Sequence, residues 1–180
     1  MLHMKMNFLF KAAMPIVLSL FCLSAMGQEA NDESQYTADL LKVGTVAPNF
    51  VLKTSKEKVV NLKSYKGKYV VLDFWASWCP DCRADAPNMV KAYNQYKDKG
   101  VAFIGISFDT DKTAWGNAIN KYGIEYPQVS ELKKWKETSI SAAYHIKWIP
   151  SMYLLDRKGK VVFATVNSAR LVEKLEEIIK

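Results

Sequence analysis

The chain is poor in the residues that hold metals and disulfide frameworks. Its 180 residues include only three cysteines and two histidines. Cys22 and His3 fall in an N-terminal stretch that reads as an export signal, which leaves Cys79, Cys82 and His145. A closed zinc site needs four Cys or His ligands, so one chain cannot make it, and no metal is expected. A single sulfur pair also leaves nothing for a separate structural disulfide framework. Internal repeats are absent. Blocks of like charge are absent too: the net charge is +7, or +5 without Lys5 and Lys11, and the lysines are scattered. Scattered lysines are solvated surface. With no nucleic-acid motif beside them, no nucleic-acid partner is expected.

Apolar residues make up 49% of the chain, ordinary for a protein with a real core. The length suits one domain plus extras. Residues 1–27 have the order of a signal peptide: basic Lys5 and Lys11, an uncharged run from Ala12 to Ala25, then Ala25-Met26-Gly27 as small-x-small before Gln28. If uncleaved, the run is near the lower limit for a membrane span. The expected location is the periplasm or cell envelope, where a lone sulfur pair has a use. Residues 28–42 are polar and acidic and read as a flexible leader. The folded domain is expected over 43–180.

Within that domain, Val46 to Leu52 and Val59 to Leu62 read as two short strands. Tyr69 to Trp75 is apolar at nearly every position, as in a strand buried on both faces. A helix is expected from Pro80 to about Lys97, with Pro87 inside it. A strand over Val101 to Ser107 follows, then a helix after Asp109–Asp111 to about Tyr122, a short strand at Tyr126 to Val129 and a helix over Trp135 to Tyr144. Ser151 to Leu155 and Lys160 to Val166 read as a hairpin, and Ser168 as the cap of a last helix. Strands alternating with helices imply a mixed sheet covered by helices.

The chemistry lies in Trp78-Cys79-Pro80-Asp81-Cys82, between the apolar strand and the helix. Two sulfurs at this spacing can cycle between dithiol and disulfide, because the second thiol can resolve a mixed disulfide on the first. With Cys79 as N-cap, its sulfur receives the Cys82 N–H and the positive end of the helix, which favours thiolate. Cys82, one turn further in, is expected to be the more buried. Cys79 is therefore the candidate nucleophile and Cys82 the candidate resolver. Asp81 is a candidate pKa modulator: a carboxylate beside Cys79 disfavours its thiolate and weakens the case for a strong oxidant.

Val71 to Cys82 resembles the active-site segment of the thioredoxin superfamily. The likeness continues at Pro87, at Trp148-Ile149-Pro150-Ser151 and at the Lys158-Gly159-Lys160 turn. Over roughly 43–180 it is greatest to the exported TlpA-like and ResA-like branch. The resemblance implies a thioredoxin-like α/β fold: a central mixed sheet of four or five strands flanked by helices, an extra N-terminal β-hairpin and an insertion before a cis-proline. It implies a Cys79–Cys82 redox-active disulfide and a buried base at Asp73 that takes the proton from Cys82. It also implies a cis bond at Pro150 and a substrate-docking edge made by Ile149, Pro150 and Trp78. Asp85 stands where relatives carry a glutamate near the cysteines. It is a second candidate pKa modulator, although the shorter side chain favours a solvated helix acid.

The leading expectation is an exported thiol–disulfide oxidoreductase that reduces disulfide-bearing exported proteins without a cofactor. A membrane-bound electron donor would recharge it, and cytochrome c maturation is among the settings implied. It touches the membrane only if the N-terminal segment stays uncleaved. A disulfide-forming oxidant would use the same site. A thiol peroxidase is a further alternative, because Val43 to Phe50 resembles the opening of peroxiredoxins, but Ala76 stands where they need a hydroxyl. A peptide-binding module without turnover is the non-enzymatic alternative.

Overall fold

In the computed structural model, residues 33–179 are described; the expected signal peptide and residues 28–32 lie outside them. Helix α1 (Ser34–Thr37) leads into strands β1 (Val51–Thr54) and β2 (Val59–Asn61). Strand β3 (Tyr69–Trp75) and helix α2 (Pro80–Tyr96) carry the cysteine motif between them. Strand β4 (Val101–Ser107), helix α3 (Lys112–Tyr122), strand β5 (Gln128–Ser130) and helix α4 (Ser139–Ala143) follow. Strands β6 (Ser151–Leu155) and β7 (Val161–Thr165) and helix α5 (Ser168–Ile178) close the chain.

The strands form one mixed sheet in the order β2-β1-β5-β4-β3-β6-β7. β3, β4 and β5 run parallel, and the other pairings are antiparallel. The expected central sheet is the five strands β3 to β7, and the expected N-terminal hairpin extends it to seven, β1 pairing with β5. β3 is central and buried from Val70 to Trp75, as its unbroken apolar run requires. Its C-terminal end delivers the cysteine motif, with β4 on one side and β6 on the other.

Several boundaries differ from expectation for local reasons. The expected helix over Trp135 to Tyr144 is broken at Thr138, which is extended. The Thr138 hydroxyl caps both halves, accepting from Ser141 N at 3.2 Å and donating to the Trp135 carbonyl at 2.8 Å. Asn167, not Ser168, caps α5, its side chain accepting from Ala169 N at 2.9 Å. β5 begins at Gln128, after Pro127, rather than at Tyr126. β1 begins at Val51; upstream, Val46 makes only an isolated bridge to Lys160.

The expected flexible leader is packed from Glu33 onward. Leu40 and Leu41 are buried, and Leu41 N donates to the Tyr153 hydroxyl at 3.0 Å. The Glu33 carboxylate accepts from Val166 N at 2.8 Å, from the Thr165 hydroxyl and from Arg170. A polar segment holds here because its few apolar residues reach the core and its acid finds donors at the start of α5. Among the described residues, no helix is long and apolar enough to cross a membrane.

Candidate active site

The cysteines sit where backbone and side-chain hydrogen bonds fix the loop after β3. Cys79 N donates to the Ala76 carbonyl at 3.2 Å, and Pro80 opens α2 at a position where no N–H is needed. Cys79 is the N-cap, with Cys82 N donating to its Sγ at 3.1 Å. The two cysteines are joined as a disulfide with their Cα atoms 5.3 Å apart. Both side chains are equally buried, at 4% exposure, so Cys82 is not the more hidden of the two in this state. Bonded to each other, the two sulfurs share the same cover.

Asp109, two residues beyond β4, holds the loop through Ser77. Its buried carboxylate accepts from Ser77 N at 3.0 Å, from the Ser77 hydroxyl, and from the Ser107 hydroxyl at 2.6 Å. By its place before α3, Asp109 suggests only a helix start. The actual cap of α3 is Asp111, whose side chain accepts from Thr113 N and Ala114 N. Nothing local marks Asp109 as the loop's anchor, since Ser77 lies 32 residues away.

The Ile149–Pro150 bond is cis, and Cys79 Sγ lies 3.7 Å from the Ile149 carbonyl oxygen. Ser151 ties this turn together by donating to the Trp148 carbonyl at 2.7 Å. The rim is aromatic. Trp78 is 51% and Trp148 39% exposed, the first leaning on Trp135 and the second on Tyr36 of α1, ring centroids 6.5 and 4.6 Å apart. Trp75 points inward, its indole N–H donating to Gln128 Oε1 at 2.8 Å. Gly105 makes room for that amide: a Cβ there would lie 2.1 Å from Gln128 Oε1.

Beneath the disulfide lies an acidic cluster. Asp73 is buried, and its Oδ2 accepts from the Tyr126 hydroxyl at 2.8 Å. Burial pushes its pKa up to about 7; the Tyr126 hydrogen bond opposes this and the charge of Asp85 adds to it. Asp85 is not the solvated helix acid that its length suggested. It is half-buried. Its Oδ1 accepts from the Ser168 hydroxyl and from Asn88 Nδ2, the latter at 3.1 Å. Its buried Oδ2 has no hydrogen-bond partner among the described residues. Helix α5 covers this face of α2, which is why an acid three residues after Cys82 is turned toward the cluster. Asp73, Cys82, Asp85, Tyr126 and Pro150 all line one void of about 10 Å3. Asp81, by contrast, is exposed in the first turn of α2.

The structure thus brings Cys79, Cys82, Asp73, Ile149 and Pro150 into one site, with Trp78 at its rim, Asp85 below and Asp81 outside. The arrangement allows a sulfur at a helix N-terminus to exchange with a disulfide presented along the Ile149 edge. Among the described residues, no group of three His, Cys, Asp or Glu side chains is arranged to hold a metal.

Residues 43–164 match the model of the AhpC/TSA family. The chain belongs to that family. Among curated proteins it is similar to the thiol-disulfide oxidoreductase ResA of Bacillus thuringiensis (strain Al Hakam), with 35% identity over 78% of each chain. ResA of Bacillus subtilis (strain 168) is 31% identical over 82% of this chain and 79% of its own. Among solved structures it resembles the thioredoxin domain of a thiol-disulfide oxidoreductase from Bacteroides vulgatus. That likeness has a TM-score of 0.72 and 34% identity, and covers 78% of this chain and 99% of the other. This AhpC/TSA member is a thioredoxin-like thiol–disulfide oxidoreductase, with Cys79 and Cys82 as its redox-active pair.

Proposed function

We propose that this oxidoreductase reduces disulfides of exported proteins, with Cys79 as nucleophile and Cys82 as resolver. The observation that carries the proposal is the position of Cys79: its sulfur caps α2, receives the Cys82 N–H and faces the Ile149 carbonyl at 3.7 Å. The Cys82 N–H and the N-terminus of α2 favour a thiolate, and the Ile149 carbonyl beside it belongs to an edge where an extended segment can add as a strand.

In the dithiol state, the Cys79 thiolate attacks one sulfur of the client disulfide. The client S–S bond breaks, a mixed disulfide forms, and one client sulfur leaves and takes a proton. Asp73 then accepts the proton of Cys82, which attacks Cys79 Sγ. The mixed disulfide breaks, the Cys79–Cys82 bond forms and the second client thiol leaves. Two electrons pass to the client. Asp73 suits the base role because its pKa is pushed up to about 7, close to working pH. Trp78, Ile149 and Pro150 form the client-docking rim. Asp81 disfavours the Cys79 thiolate, which favours reduction over oxidation, and Asp85 tunes Asp73.

Export rests on the pattern of residues 1–27. A thiol:disulfide donor at the membrane would return the pair to dithiol, and client thiols of cytochrome c maturation fit the same chemistry. A peroxidase would need a hydroxyl three residues before Cys79, where Ala76 is fully buried. The test is trapping in the cell envelope. Cys82→Ala should accumulate mixed disulfides through Cys79 with exported proteins, and Cys79→Ser should lose all disulfide reduction. Retained activity in Cys79→Ser would overturn the reading.

A further inference from the structure

We propose that Tyr126 is a positioning residue for the exchange reaction: its hydroxyl holds the Asp73 carboxylate and sets the pH at which Asp73 can accept a proton. For catalysis, this rests on the reading of Asp73 as the base for Cys82.

Tyr126 is 2% exposed, and its ring is fixed by packing on Tyr93 and Phe103, with centroids 5.3 and 5.8 Å away. Its backbone is fixed as well. The next residue, Pro127, accepts from Gly105 N at 2.9 Å, and Gly105 is the strand partner of Asp73. The hydroxyl is thereby held opposite the carboxylate, on a segment anchored to the neighbouring strand. Among the described residues, no other side chain donates to Asp73.

The titratable groups facing Asp73 are few. Tyr126 comes from the segment before β5, and Cys82 and Asp85 from α2. Its β4 partner is Gly105, without a side chain, and its β6 partner is the apolar Met152. Burial and the Asp85 charge both favour protonated Asp73, while the Tyr126 hydrogen bond alone favours the carboxylate. Without that bond, a smaller fraction of Asp73 would be ionised at neutral pH and free to take the Cys82 proton. Burial and the neighbouring acids raise the Tyr126 phenol well above its ordinary value, so it remains a donor throughout the neutral range.

The test uses the full-length chain with two replacements that keep the ring. Tyr126→Phe removes the donor, and 3-fluorotyrosine at position 126 makes it a stronger one. The Asp73 titration is read directly by carboxyl infrared or carbon NMR, and the resolving step by the pH dependence of mixed-disulfide release. The Asp73 midpoint should move up by on the order of one pH unit in Tyr126→Phe, a tenfold change in proton affinity. It should move down with 3-fluorotyrosine. A packing role alone would not move the midpoint in opposite directions. An Asp73 midpoint unmoved by both replacements would overturn the proposal. If the midpoint moves and the release profile does not, the coupling of Tyr126 to Asp73 stands and the base role of Asp73 falls.

Discussion

The buried Asp73 makes the fold less stable as the solution becomes less acidic, and Asp73→Asn should remove that dependence. Its pKa is raised from 3.8 to about 7 in the folded chain, chiefly by burial. The folded pKa lies above the unfolded value, so between these two pH values the unfolded chain releases a proton that the folded chain keeps. Stability attributable to this group is therefore full below about pH 4 and is lost as the pH rises through about 7. The gap is about 3 pH units at about 1.4 kcal/mol each, or about 4 kcal/mol. Asn keeps an acceptor for the Tyr126 hydroxyl and carries no charge, so the penalty has no counterpart in the variant. Urea unfolding of the disulfide form of both proteins, from pH 4 to pH 8, measures the difference. The variant should gain on the wild type by up to about 4 kcal/mol at pH 8 relative to pH 4. A difference that is flat over this range would refute the assignment of a raised Asp73 pKa.

Three further outcomes follow from the packing around the site. Gly105→Ala should cost about 1–3 kcal/mol in thermal unfolding, because a Cβ 2.1 Å from Gln128 Oε1 displaces the amide and leaves the Trp75 indole N–H unpaired. Asp109→Ala should slow disulfide exchange and loosen the Ser77 loop, seen as faster amide hydrogen exchange at Ser77 and Trp78, since it removes the acceptor for Ser77 N. Leu40→Ala should destabilise the fold by about 2–5 kcal/mol in urea, as expected for a residue 3% exposed, whereas a flexible leader would give no change.

What the sequence made legible was chemistry carried by neighbours in the chain. The N-cap position of Cys79 follows from Pro80 and the Cys82 spacing, and the burial of Asp73 from the apolar run around it. What stayed hidden depends on distant partners. Asp85 shares the helical face of Cys82, but whether that face is covered is decided by Ser168, 83 residues on. Tyr126 reaches Asp73 across 53 residues, and no spacing rule relates the two. The polar composition of the leader suggested disorder, yet Glu33 finds Arg170 across 137 residues. Strand order was beyond the pattern for the same reason: an N-terminal hairpin can join the sheet only where β5 leaves an edge.

The reduction potential of the Cys79–Cys82 pair tests the central claim most directly. Equilibration of the full-length protein with glutathione buffers gives it. A reductase requires a value near or below ~−270 mV, the thioredoxin level, whereas a value near ~−120 mV, the DsbA level, would make the protein an oxidant and contradict the account.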